Sequence, residues 1–355
     1  MPEEPHAEFP PTADHGELAS STQAEWTERQ LPPVKPPTPG LLVQLFFIPM
    51  IIVGIIVSVW LAFGWLAQSG ARPEELAADL EQLNTGSWQK ALQLSQMLRS
   101  PRNDELRRNK ALADRLAAIL EAQIQEQAPS GSEQQLLKIW LCQALCRFDI
   151  DAGMPALIKA ASASQDVEVR RAAIQGIGLL ADRLTDDITV SHPGLVTTLR
   201  DAASVRTDVL EDEVSYGQLR SSTAFTLGIV GGTQALDTLA AMLSEPYPDA
   251  RYNAATGLAR HGDVRAVPRL REMIKLGNAN AVESEKQGSK SERAWKQDLV
   301  IKNGLQAIRQ LYTINPVPPD EDLLRSIDEL KASGALKGAT AVELKVTLKV
   351  LEGRR

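Results

Sequence analysis

One stretch of the chain is apolar without interruption. Residues 41–66, LLVQLFFIPMIIVGIIVSVWLAFGWL, hold no charge and run from Leu41 to Leu66. A helix of 26 residues reaches about 39 Å, more than the roughly 30 Å of a bilayer's hydrocarbon core, so the pattern predicts one N-terminal transmembrane helix with some tilt. Phe46 and Phe47 lie toward one end and Trp60, Phe63 and Trp65 toward the other, where aromatic rings favour the headgroup levels. Pro49 and Gly54 are tolerated inside a membrane helix. A core helix of a soluble protein would be shorter and carry a polar face. A signal peptide would begin nearer the start and end on a small-residue cleavage site, which WLAQSG does not supply.

Beyond the span, apolar residues recur at helical spacing. PEELAADLEQL, SWQKALQLSQML and DELRRNKALADRLAAILEAQIQ predict membrane-proximal helices within residues 67–132, broken by NTGS and RSPRND. Between residues 133 and 315 the segments begin to resemble one another. The clearest is 249–274, DARYNAATGLARHGDVRAVPRLREMI. Asp249 is expected to cap a first helix with a small-residue face of Ala254, Ala255 and Leu258. Gly262 ends it, and Asp263 caps a second helix striped by Val267, Leu270 and Ile274. Related copies are 166–180, which opens on Asp166, and 219–242; a more divergent one is 136–160.

Aligning Lys138, Arg170, Arg220 and Arg251 gives spacings of 32, 50 and 31 residues. A helix pair with a short turn takes about 30 residues, so the long interval implies an insertion within 185–215. A second polar excursion, 277–293, precedes a first helix expected to begin near Trp295. In the segment 316–355, DEDLLRSIDELKAS and a helix with Thr340 and Glu343 as capping box are expected to cover the last repeat. No strand-like alternation bounded by hairpin turns is visible, and the expected fold class is all-α: an α-solenoid of helix pairs behind a single membrane helix.

Charge alters this outline only at the N-terminus. Residues 1–40 carry seven acids against Arg29 and Lys35, out of a formal net charge of −7, and read as an acidic, Pro-rich, disordered tail. PPVKPPTP serves there either as a solvated spacer or as a PxxP ligand. The remainder is nearly neutral, which leaves no electrostatic footprint for nucleic acid. Arg29 and Lys35 before the span outnumber Arg72 after it, placing the tail inside and the repeats outside the cytoplasm. The two cysteines, Cys142 and Cys146, lean the other way. Four apart on a helix, they read as free buried thiols. His6, His15, His192 and His261 are too scattered to announce a metal site.

The D-x-R-x-x-A-A-x-x-L segment from Asp249 and the following G-D-x-R-A-V-P-x-L resemble HEAT repeats, particularly the short form of the phycobilisome lyase HEAT-like family. The layout of Pro-rich tail, span ending in FGWLA, and repeats is similar to a group of membrane-anchored bacterial HEAT-repeat proteins. That resemblance implies a single-pass protein of a bacterial cytoplasmic membrane. It also implies that Arg170, Arg220 and Arg251, with acids such as Asp166, Asp249 and Asp263, form a structural ladder between repeats. The HEAT-like iron hydroxylases need His-Glu pairs, and this chain has no His-Glu dipeptide. No GxSxG elbow, Walker A loop or GxGxxG fingerprint is present, and no catalytic residue, cofactor or metal is expected. The functional expectation is an interaction scaffold that touches the bilayer through one helix and binds a protein or peptide on its stacked second helices. The alternative is a lyase-type or chromophore-handling enzyme of the resembled family.

Overall fold

The computed structural model describes residues 39–68, 72–82, 84–162, 164–184, 188–206, 213–285 and 287–354. The Pro-rich tail before Pro39, the side chains of Leu41 and Leu66, and residues 185–187 and 207–212 of the expected insertion lie outside them. Among the described residues there are helices, turns and no strands. The chain forms two compact units, Met1–Gly70 and Ala71–Arg355.

In the first unit α1 runs over Pro39–Gln68, with Pro49 inside it. It extends a little past the expected 41–66. The stretch Val43–Phe63 is long and apolar enough to cross a membrane, and none of it is buried against protein. A 21-residue stretch spans about 31 Å, which matches a bilayer core. Exposed residues include Phe46 and Phe47 near one end and Trp60 and Phe63 near the other.

The second unit is a stack of helix pairs in two layers. Its helices are α2 (Pro73–Glu81), α3 (Ser87–Arg99), α4 (Asp104–Arg107), α5 (Lys110–Gln123), α6 (Glu133–Leu145), α7 (Met154–Ala160), α8 (Val167–Ala181), α9 (Ile188–Ser191) and α10 (Leu195–Ser204). They continue with α11 (Glu213–Val230), α12 (Thr233–Met242), α13 (Pro248–Arg260), α14 (Val267–Met273), α15 (Lys290–Ile314), α16 (Glu321–Ala332) and α17 (Gly338–Glu352). One layer packs α3, α6, α8, α11, α13, α15 and α17 in succession, each on the next. In the other, α2 meets α5, α5 meets α7, α10 meets α12 and α14 meets α16. The core lies between the layers and is built of Ala and Leu, among them Leu116, Leu141, Leu180, Leu227 and Leu258, all buried. This is an all-α solenoid of HEAT-like pairs.

Hydrogen bonds fix the register of the first layer. Thr340 Oγ1 bonds Asp298 Oδ2 at 2.8 Å, Thr347 Oγ1 donates to Leu305 O at 3.1 Å, and Arg354 Nε donates to Tyr312 O at 3.0 Å. Each contact advances two helical turns on both α15 and α17, so these helices run parallel. Small residues allow the close approach: a Cβ on Gly178 would meet Thr226 Oγ1 at 2.7 Å, and that hydroxyl already donates to Ile174 O at 2.9 Å.

Three local expectations change. Thr340 and Glu343 do not form a capping box, since α17 starts at Gly338 with Lys337 as its uncapping neighbour. Both side chains reach across to α15 instead, Thr340 to Asp298 and Glu343 to Arg309 Nε at 2.6 Å. Helix α15 begins at Lys290 rather than near Trp295, because Ser289 and Glu292 make a reciprocal capping box inside the polar excursion. Asp249 is not a cap either: Tyr247 holds the N-cap position, Pro248 opens the first turn, and Asp249 follows it.

Candidate protein-interaction surface

The aligned cations share one structural task. Each sits in the first turns of a first-layer helix and donates to backbone carbonyls just past the preceding second-layer helix. Lys138 Nζ reaches Glu126 O after α5, Arg170 Nε reaches Ala161 O after α7 at 3.3 Å, and Arg220 Nη1 reaches Val205 O after α10 at 3.2 Å. Arg251 Nη1 reaches Glu245 O at 3.2 Å and Pro246 O at 2.9 Å, after α12. The last carbonyls of a helix lack intrahelical partners and carry partial negative charge, so a buried cation there satisfies both needs. Burial pushes the Lys138 ammonium and the Arg170 guanidinium below their ordinary pKa ranges.

The acids expected alongside them stand elsewhere. Asp166 caps α8 and accepts from the Gln135 amide of α6. Asp249 pairs with Lys296 of α15 at 3.0 Å, and Asp263 caps the 3-10 turn Val264–Ala266 and binds Arg265. The arginines take glutamates that the expected ladder did not include. Arg220 is fully buried, with Nε on Glu245 at 3.0 Å and Nη2 on Glu213 at 2.8 Å. Arg251 Nη2 meets Glu272 at 3.0 Å. Glu272 also accepts from Tyr252 at 2.7 Å, Arg269 at 2.8 Å and the Asn280 amide at 3.1 Å. Burial raises its pKa, but the donors from Tyr252, Arg251 and Arg269 outweigh that and lower it to about 2. Asn278 donates to Tyr252 Oη and Glu272 O, both at 2.9 Å, and so ties the polar excursion to the same network.

Cys142 and Cys146 are free and buried, and burial holds both thiols above the usual range. Among the described residues no three of His, Cys, Asp and Glu come close enough to hold a metal ion together.

The first layer carries an open groove of about 490 Å³ floored by α13 and walled by α11 and α15. Short side chains on α13, Asn253 and Thr256 with Gly257, leave the floor low. On α15 the residues Lys296, Leu299, Asn303, Gln306 and Gln310 line one wall at alternating intervals of three and four, hence on one face of the helix. Phe225, 41% exposed, stands on the opposite wall. The groove is closed at one end by the Asp249–Lys296 pair, and beyond the other end Asn315 Nδ2 bonds Gly262 O at 2.8 Å. The amide row was visible in KNGLQAIRQL, but which face of α15 stays open is decided by α13 and α17. A second groove, on the second layer between α14 and α16, is bridged by Asp322, which pairs with Arg271 at 3.0 Å and Arg325 at 3.2 Å.

No curated protein matches the chain. Among solved structures, the crystal structure of an engineered protein is similar with 15% identity over 74% of this chain and 97% of that one, at a TM-score of 0.36. Human deoxyhypusine hydroxylase in complex with glycerol is similar with 13% identity over 75% of this chain and 97% of that one, at a TM-score of 0.26. Neither overlay is close enough to bear on function. Residues 204–285, which hold α11 to α14, match the family model for HEAT repeats, and the helix pairs of this segment are HEAT repeats.

Proposed function

We propose that the chain is a membrane-anchored interaction scaffold: α1 crosses a bacterial cytoplasmic membrane once, and the HEAT-repeat solenoid, on the extracytoplasmic side, binds a protein or peptide. The observation that carries this reading is the pairing, in one chain, of a lipid-compatible helix with a repeat stack whose first layer, rather than the second helices expected from the sequence, presents the open groove over α13. Stacked repeats create extended surfaces suited to binding, and they serve many roles, so the site and not the fold must carry the argument. Arg29 and Lys35 before the span support the orientation. In this reading the helices of 67–132 are membrane-proximal, 133–315 is the repeat array, and 316–355 covers its end.

Cross-linking on intact membranes followed by pull-down tests it. The intact chain is expected to recover a specific partner that a chain ending at Glu133 does not. Equal recovery from both would refute the scaffold role. Thiol labelling of single cysteines placed before Leu41 and near Arg355 reads the orientation.

A further inference from the structure

We infer that the groove over α13 binds an extended peptide segment carrying an acidic group at its Arg260 end. The inference rests on the scaffold reading and names the partner's chemistry.

Length comes first. Asp249 and Arg260 mark the two ends of the groove floor, and eleven residues of helix cover about 16 Å. An extended chain at roughly 3.3 Å per residue covers that distance with about five residues. The volume of about 490 Å³ suits a ligand of that size.

The wall chemistry selects an extended chain over a helix. Among the described residues, the carboxamides of Asn303, Gln306 and Gln310 have no hydrogen-bond partner, and Asn253 uses only its NH₂, on Ser221 O at 3.1 Å and Ser221 Oγ at 3.0 Å. A carboxamide both donates and accepts. The main chain of an extended segment offers N–H and C=O groups in alternation, whereas a helix has already satisfied its own. Neighbouring side chains in a helical stripe stand about 5–6 Å apart, close to the roughly 6.6 Å two-residue repeat of an extended chain. Phe225 on one wall and Leu299 on the other supply apolar contacts for the peptide's side chains.

Charge gives the direction. The groove is lined by three charged residues, Asp249, Lys296 and Arg260. The first two neutralise each other at 3.0 Å with side chains only 17% and 25% exposed. Arg260 meets Asp182 at 3.4 Å with both side chains 40% or more exposed, a solvated pair that an incoming carboxylate can replace at little cost. The groove therefore has one exchangeable positive charge, at the C-terminal end of α13. A single such cation does not make a phosphate-backbone site.

The test uses the full chain in detergent micelles and a phage-displayed random heptapeptide library as probe. Selected peptides are expected to share an acidic residue near one end. N303A/Q306A should weaken them by tenfold or more, since each lost amide removes roughly fivefold to tenfold. R260E should invert the charge preference of a new selection, while R325A on the second layer should leave binding unchanged. Far-UV circular dichroism establishes that each variant is folded. The inference is overturned if the folded wild type enriches no peptide above empty micelles, or if enriched peptides bind N303A/Q306A as tightly as wild type. Should N303A/Q306A still recover the cross-linked membrane partner, the scaffold reading stands and the groove assignment falls.

Discussion

Gly228 of α11 and Gly257 of α13 touch backbone to backbone: a Cβ on Gly257 would lie 2.9 Å from Gly228 Cα, and one on Gly228 would lie 2.6 Å from Gly257 Cα. The contact sets how closely the two central helices stack, and with it the depth of the groove above α13. The imidazole of His261, at the end of α13, seals the same crossing, with Nε2 2.9 Å from Gly228 O.

Gly228→Ala is expected to destabilise the solenoid. Alanine in a helix interior ordinarily gains about 1 kcal/mol over glycine. Here its methyl group has nowhere to go, and overpacking of this kind costs typically 1–3 kcal/mol, so the clash wins. Gly194→Ala, with open space around its Cβ, is the control. Urea midpoints of the two full-length variants should move apart, that of G228A downward; a raised midpoint for G228A would contradict the close contact.

Arg220 and Glu245 form a pair whose side chains are 1% and 3% exposed. Arg220 also binds Glu213, and Glu245 also binds Arg206, so removing one partner leaves the other buried charge only partly satisfied and costs more than removing both. R220M should therefore be more destabilising than R220M/E245L. Additive losses in a double-mutant cycle, the double variant losing the sum of R220M and E245L, would mean that the two side chains act independently.

Stability should fall as acid reaches Glu272. Against the upward push of burial, the hydrogen bonds to Tyr252, Arg251 and Arg269 hold its carboxyl down to about 2 in the folded chain, below the ordinary 4.5. A depressed carboxylate pKa stabilises the fold above the unfolded value, and the benefit is lost as pH drops from about 4.5 toward 2. The loss is about 2 kcal/mol once solvent screening of this part-buried group is allowed for. E272Q should flatten that part of the thermal-midpoint profile. A profile identical to wild type would remove Glu272 from the account.

Asn278→Ala should free the polar excursion without unfolding the repeats. Asn278 ties the loop to Tyr252 and to the end of α14 through two side-chain bonds. Amide exchange in residues 277–289 is expected to speed up by about tenfold, from the loss of roughly one to two hydrogen bonds, while α13 exchanges as before. Unchanged exchange in the loop would show that its other ties, the Asn280 bond to Glu272 and buried Ala281 among them, hold it without Asn278.

Much of the architecture was legible because its signals are local or periodic. The charge-free run predicted α1 from chain length and solvation alone. The repeat spacing of Lys138, Arg170, Arg220 and Arg251 found one equivalent place in four repeats, since equal positions in a helix pair meet equal surroundings. Capping was legible only in part. Asp166 and Asp263 cap as their sequence neighbours imply. Thr340 and Asp249 do not, because Asp298 and Lys296 on α15 bind them.

The sequence by itself thus determined that this chain is helical, repeated and furnished with one helix fit for a bilayer, since hydropathy and periodicity depend on residues close together in the chain. Only the tertiary structure decided where the cations end and which surface is open. Arg220 meets Glu245 across 25 residues, and Asp249 meets Lys296 across 47. The amides of α15 face a groove because α13 beside them is built of small residues. Such choices depend on which helices become neighbours, and that follows from burying every apolar stripe at once, not from any one segment.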